Sequence, residues 1–244
     1  AMIALDSIAD ERRTRRRVAR PFCLMVGFIR PHGPWMLPSS AWRQYPHVDS
    51  IRLPSERGAA YPTGAPIVAA HSSSLWVPPQ RYNQSGHAEL PGGVGNATKV
   101  DTSPTIQLEP SLVREARLGY YAAITWLDQQ IGRLLARLEY HQFDSNTLVV
   151  LHGDHGYHLG EHGLWRKFNT FELSARVPLF IRAPWLPHTQ GMRTGVLTEL
   201  LDLYPTITSL IGAPVPDGPG EIATPLEGTD LSSLFASSPD NSLI

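Results

Sequence analysis

Cysteine is nearly absent: Cys23 is the only one in 244 residues, which excludes an intrachain disulfide and any cysteine-rich zinc site. It lies in the apolar run Pro21-Phe-Cys-Leu-Met-Val-Gly27, where a small core residue on a buried strand is expected. No run of about 18 apolar residues is present, the length a membrane-spanning helix needs. A signal-peptide pattern is also missing; the chain opens at Ala1 directly in a helix-like pattern, so it is expected to begin inside a longer protein. An excess of one charge is lacking too, with 21 Lys+Arg against 22 Asp+Glu. That balance gives no electrostatic reason to expect nucleic acid or an anionic membrane as partner. The one basic run, Glu11-Arg-Arg-Thr-Arg-Arg-Arg17, follows the helix-like Ile3 to Ala9 and reads as a solvated helical face.

What is present is ordinary globular composition, 42% hydrophobic and 18% charged, enough for one domain or most of one. Ile3 to Val18 reads as a helix. Phe22 to Ile29 is a continuous apolar run of strand length, as expected of a strand covered on both faces, and Arg30-Pro-His-Gly-Pro-Trp35 then forces a loop. From Pro38 to Pro110 the chain is rich in Pro, Gly and Ser and reads as an irregular surface excursion. It contains two formal glycosylation sequons, at Asn83 and Asn96. Periodicity resumes with Tyr120, Ile124, Leu127, Ile131, Leu134 and Leu138, whose 4-3-4-3-4 spacing predicts one face of a long helix. Thr147 to Leu151 and Val177 to Ile181 read as buried strands, Thr198 to Ile211 as a helix, and residues 214–244 as a Pro/Gly/Ser-rich tail. This order predicts an α/β sandwich with a mostly parallel central sheet flanked by helices.

The densest chemistry lies in Thr147-Leu-Val-Val-Leu-His-Gly-Asp-His-Gly-Tyr-His-Leu-Gly-Glu-His-Gly-Leu-Trp-Arg-Lys167. Three readings of it compete. His158-Leu-Gly-Glu-His162 matches the H-x-x-E-H zinc pattern, which needs a helix to bring two histidines together. Four glycines between Gly153 and Gly163 oppose that helix at about 1 kcal/mol each. A second reading makes these histidines and Glu161 ordinary loop residues hydrogen-bonded to backbone. The third takes Asp154 and His155 as metal ligands on a strand-end loop, where Gly153 and Gly156 let the backbone bend; a carboxylate suits a hard cation and an imidazole suits zinc, so the metal stays open. Ligands of parallel sheets collect beyond the strands' carboxyl ends, and Pro31-His32-Gly33 follows another strand-like run.

Gly153-Asp-His-Gly156, Leu159-Gly-Glu-His-Gly163, Trp165, Lys167 and Val177-Pro-Leu179 together resemble the second metal-binding segment of the sulfatases. Within that family they are most similar to the iduronate-2-sulfatase-like branch. Arg30-Pro-His32 resembles the loop bearing a substrate-facing histidine, and Glu199-Leu-Leu-Asp-Leu-Tyr-Pro205 a helix after the core strands, so the resemblance runs from about Ile3 to Ile211. It implies an alkaline-phosphatase-like α/β fold, with residues 1–213 a partial catalytic domain, and hydrolysis of a sulfate ester of a sugar or glycosaminoglycan. It also implies a calcium site including Asp154 and His155, a sulfate contact from Lys167, a sulfate contact and leaving-group protonation from His32, and a secreted or lysosomal setting.

The departures from the family pattern are as informative. Cys23-Leu-Met-Val-Gly lacks the Pro/Ala and Arg of C-x-(P/A)-x-R, so the formylglycine nucleophile expected in the family has no precursor here. The early Asp-Asp pair is missing; Asp10-Glu11, the one adjacent acidic pair, falls on the first predicted helix. Two residues cannot satisfy calcium, which takes six to eight oxygens. The expectation is therefore an incomplete site, inactive by itself. Two further readings follow: a catalytically dead binding protein with the same fold, or a phosphodiesterase-type member of the superfamily.

Overall fold

The computed structural model describes residues 1–14, 20–69, 109–214 and 226–236. Arg15 to Arg17, both sequons and most of the Pro-rich excursion lie outside these residues. The elements in chain order are α1 (Met2–Thr14), α2 (Ser39–Trp42), α3 (Glu56–Ala59), α4 (Pro110–Tyr140), β1 (Val149–His152), β2 (His158–Leu159), β3 (Trp165–Arg166), α5 (Glu172–Ala175), β4 (Leu179–Arg182) and α6 (Leu203–Leu210). The α/β class expected from the sequence is what the structure shows. The described residues fall into two compact units, Ala1–His141 with His152–Pro178 and Gln142–Leu151 with Leu179–Ile244.

In the first unit the 31-residue α4 is the backbone of the packing. Pro110 occupies its first turn, where a missing N–H costs nothing, and Arg137 lies in the last turn, where a cation suits the dipole. The buried face is not the whole predicted stripe, because Ile124 is 41% exposed. Ala116, Gly119, Ala122 and Ala123 are buried in its place. Their small size lets Trp35 lie flat on the helix: a Cβ on Gly119 would sit 2.4 Å from Cε3 of Trp35, which is fully buried. Trp35, Ala116, Ala123, Leu159 and Trp165 form the core, flanked by Leu37, Trp42, Val113, Tyr120, Tyr121 and Tyr157. The described part of the excursion is therefore not purely a surface feature; α2 packs on α4, and Ala41 and Ile51 are buried.

α1 is tied to the carboxyl end of α4 by a shared acceptor. Oδ1 of Asp6 receives Nε of Arg137 at 2.5 Å and Nε2 of His141 at 2.7 Å. The bond from Arg137, then that from His141, holds the Asp6 carboxyl down at about 2.

Phe22 to Ile29 corrects the sequence reading. The segment is extended but forms no strand among the described residues, and Cys23, Met25 and Ile29 are exposed. Cys23 is thus not a core residue: alternate side chains point to opposite faces of an extended segment, and only Phe22, Leu24 and Val26 are half-buried.

In the second unit β1 and β4 form a two-stranded sheet, close to the two strands read from the sequence. The helix expected over Thr198 to Ile211 begins as a 3₁₀ turn, Leu200–Asp202, and continues as α6. Asp202 explains how the following tail is held. Its Oδ2 accepts from Glu199 N at 2.8 Å and its Oδ1 from Thr229 N at 2.7 Å, and these two backbone bonds keep its pKa below the usual carboxylate value. Thr206 Oγ1 accepts from Leu231 N at 2.9 Å, and Ser232–Phe235 closes as a 3₁₀ turn, so part of the predicted loop tail is folded onto this unit.

Candidate functional site

Asp154 and His155 stand on the loop that leaves β1. Its two glycines are not equivalent. A Cβ on Gly156 would meet the Leu173 carbonyl oxygen at 2.1 Å, whereas one on Gly153 would come no nearer than 3.4 Å to Val177. Gly156 is therefore required by the close approach of α5, and its N–H donates to Ser174 O at 2.8 Å; Gly153 N donates to Pro178 O at 3.2 Å. The loop is bent against protein backbone on the side of Gly156.

Within it, Oδ1 of Asp154 accepts from His155 N at 3.0 Å, and the Asp154 side chain is 86% exposed. Nδ1 of His155 lies 2.9 Å from Gly156 O. A carbonyl only accepts, so Nδ1 carries the proton and Nε2 presents a lone pair. That lone pair faces Nζ of Lys167 at 2.6 Å, and Oδ2 of Asp154 lies 3.6 Å from the same Nε2. Carboxylate, imidazole and ammonium thus converge.

Lys167 reaches this point because β2 and β3 pair antiparallel, His158 with Arg166 and Leu159 with Trp165, turning the chain back toward the loop. The turn between them is fastened to α4. Nη1 of Arg117 donates to Glu161 Oε1 at 2.7 Å and to Leu159 O at 3.0 Å, and Glu161 Oε2 accepts from Leu159 N at 2.7 Å. The two side chains grip both polar groups of one residue of β2. Burial pushes the Glu161 carboxyl upward, but the bond from Arg117 and the N–H of Leu159 outweigh it and hold the pKa low. For Arg117, burial opposes the charge and Glu161 more than offsets it.

The zinc pattern His158-Leu-Gly-Glu-His162 does not form the helix it needs. His158 is on β2, and His162 lies in a 3₁₀ turn with a left-handed φ of 59°. His158 is fully buried with Nδ1 3.0 Å from Ser174 Oγ. Burial, then the neighbouring His162, pulls its pKa down to about 4. It is a core histidine. Among the described residues no group of three or more His, Cys, Asp or Glu is placed to hold a metal ion.

His32 is exposed on the loop after the extended segment, with its ring bonded to Gly33 O. Arg30 shapes that loop by donating to His32 O at 2.8 Å and Met36 O at 3.1 Å, and Trp35 Nε1 donates to Pro31 O at 2.7 Å. The structure joins Asp154, His155 and Lys167 directly, whereas the ring of His32 bonds within its own loop, to Gly33 O; aromatic rings pack between the loop's Trp35 and the residues after His155. Trp35 meets Tyr120 edge-on at 6.3 Å, and Tyr120 meets Tyr157 at 5.1 Å, two residues past His155. Burial raises both phenols to about 12, so they serve as neutral rings.

Arg117, Ser174 and Tyr157 were not singled out by sequence reasoning, and Glu161 read as the glutamate of the zinc pattern or as a loop carboxylate. A signal for Arg117 exists: it interrupts the small apolar face between Ala116 and Leu118, four residues before Tyr121, whose hydroxyl it reaches at 3.0 Å.

Comparison with known proteins gives the same direction. The Sulfatase family matches residues 3–213. Iduronate 2-sulfatase of Mus musculus is 29% identical over 221 residues, covering 81% of this chain and 37% of that protein. Choline-sulfatase of Rhizobium meliloti is 32% identical over 198 residues, covering 79% and 32%. The chain spans about a third of the length of these curated relatives. A solved structure of a protein in complex with its substrate D-glucosamine-2-N,6-O-disulfate superposes with a TM-score of 0.63 at 20% identity, over 96% of this chain and 52% of that one. At that identity the likeness establishes the fold, alkaline-phosphatase-like and covered in part.

Proposed function

The chain belongs to the sulfatase family, and on that premise we propose that it supplies the sulfate-facing part of a sulfuric ester hydrolase acting on a sulfated sugar or glycosaminoglycan. The observation that carries this reading is the contact of Lys167 Nζ with His155 Nε2 beside Asp154. An ammonium has three N–H donors and His155 takes one, so two remain for the oxygens of a sulfate group. Lys167 places that positive charge where the departing sulfate gathers negative charge. His32 donates from Nδ1 to Gly33 O, which leaves Nε2 to contact the ester; protonating the leaving alcohol requires the imidazolium form, with Nε2 also carrying a proton. The sugar class rests on the similarity to iduronate 2-sulfatase, as does a secreted or lysosomal setting; no helix among the described residues is long and apolar enough to cross a membrane.

The donors present do not fit the family's calcium ion. One exposed carboxylate and an imidazole whose two nitrogens face Gly156 and Lys167 fall short of the six to eight oxygens calcium requires. Cys23 lies outside a C-x-(P/A)-x-R motif, so it offers no formylglycine precursor. By itself the chain is a sulfate-binding part without turnover.

The test is the reading frame upstream of Ala1 and the activity of its full product. A C-x-(P/A)-x-R motif there, with sulfate-ester hydrolysis that disappears on Asp154→Ala, supports the proposal. A frame without the motif and a product without activity favours the second reading, a non-catalytic binding protein, which the sequence context of Cys23 motivates.

A further inference from the structure

We propose that the Lys167 ammonium is the resident cation of the Asp154-His155 loop, so that Lys167 and a divalent metal ion exclude one another at Nε2 of His155. Imidazole coordinates a metal through one unprotonated nitrogen. In His155 that cannot be Nδ1, which donates to Gly156 O at 2.9 Å. The lone pair of Nε2 is directed at Lys167 Nζ, 2.6 Å away, and an ammonium can only donate. The one donor atom His155 could offer a metal is therefore already in use. Asp154 completes the arrangement, with Oδ2 3.6 Å from the same nitrogen.

A metal ion arriving at Nε2 has to displace the ammonium for two reasons: both need one lone pair, and like charges at contact distance repel. Displacement needs little else to move. The backbone at Lys167 follows β3, paired with β2, which Arg117 and Glu161 fasten to α4. The lysine's four-carbon stem is the flexible part.

This exclusion is tested with Mn²⁺ alone, titrated into the full chain while paramagnetic broadening of the His155 ring signals is followed. Lys167→Met is expected to take up Mn²⁺ at His155 at a concentration at least about tenfold below that for the unaltered chain. Lys167→Arg, which keeps a donor cation, is expected to bind as weakly as the unaltered chain, and adding His155→Ala to Lys167→Met is expected to abolish the gain. Equal or weaker uptake by Lys167→Met, including no broadening in either protein, overturns the proposal. So does Lys167→Arg matching Lys167→Met. Sulfate takes no part in these titrations, so their failure is distinct from failure of the sulfate-binding reading.

Discussion

Nζ of Lys167 lies 2.6 Å from Nε2 of His155, twelve residues earlier in the chain, because the antiparallel pair β2 and β3 returns the backbone to the loop that β1 opens. The same hairpin depends on Arg117, 42 residues before the Leu159 it holds.

That dependence makes Arg117→Met strongly destabilising. The Arg117 side chain is 11% exposed and its Glu161 partner 26%, so truncation strands a largely buried carboxylate and leaves Leu159 O without its donor. A loss of about 3 kcal/mol is expected in urea unfolding. The double variant Arg117→Met/Glu161→Gln is expected to lose less than the sum of the two single changes, because no unpaired charge is left buried.

Gly156→Ala and Gly153→Ala separate the two loop glycines. The first places a methyl 2.1 Å from Leu173 O, so α5 or the loop must shift; the second meets only ordinary contacts, with Val177 at 3.4 Å. Thermal unfolding is expected to show a large drop for Gly156→Ala and a small change for Gly153→Ala. A reversed order would mean that Gly153, not Gly156, sets the bend.

His158 gives the fold a pH dependence. Its pKa is about 4 in the folded chain and about 6.5 when unfolded, so the unfolded state binds the extra proton between those values. Stability is full above about pH 6.5 and falls as the pH drops toward 4, by on the order of 3 kcal/mol. Urea midpoints measured from pH 7 to 4 should show this decline, and His158→Gln should flatten it. The carboxylate of Asp6, held at about 2, acts in a separate and lower window, its contribution present above about pH 4 and lost below it.

How much of this was legible in the sequence depends on what each residue needs for its signal. The Gly-Asp-His-Gly block and Lys167 drew a reading because of their side-chain types, and the structure sets Lys167 against His155; α4 was legible because its apolar spacing repeats from Tyr120 to Leu138. The face of α4 that packs was harder: Ala116, Gly119 and Ala123 contribute by being small, which makes room for Trp35 but gives almost no amphipathic pattern. Phe22 to Ile29 was misread as a covered strand because apolar composition reports a tendency to be covered, not the presence of a partner. The grip of Arg117 and Glu161 on Leu159 joins residues 44 apart in sequence, so the local anomaly of an arginine on the small apolar face does not reveal its partner.

Sulfate binding by Lys167, set by His155 and Asp154, can be measured most directly by titrating inorganic sulfate into the chain and into Lys167→Met, following heat release and the Lys167 side-chain nitrogen signal, with a chromogenic sulfate ester as a turnover control. The expected result is saturable binding that weakens at least about tenfold without the ammonium, and no hydrolysis. Equal sulfate affinity in the two proteins, or no binding to either, would contradict it.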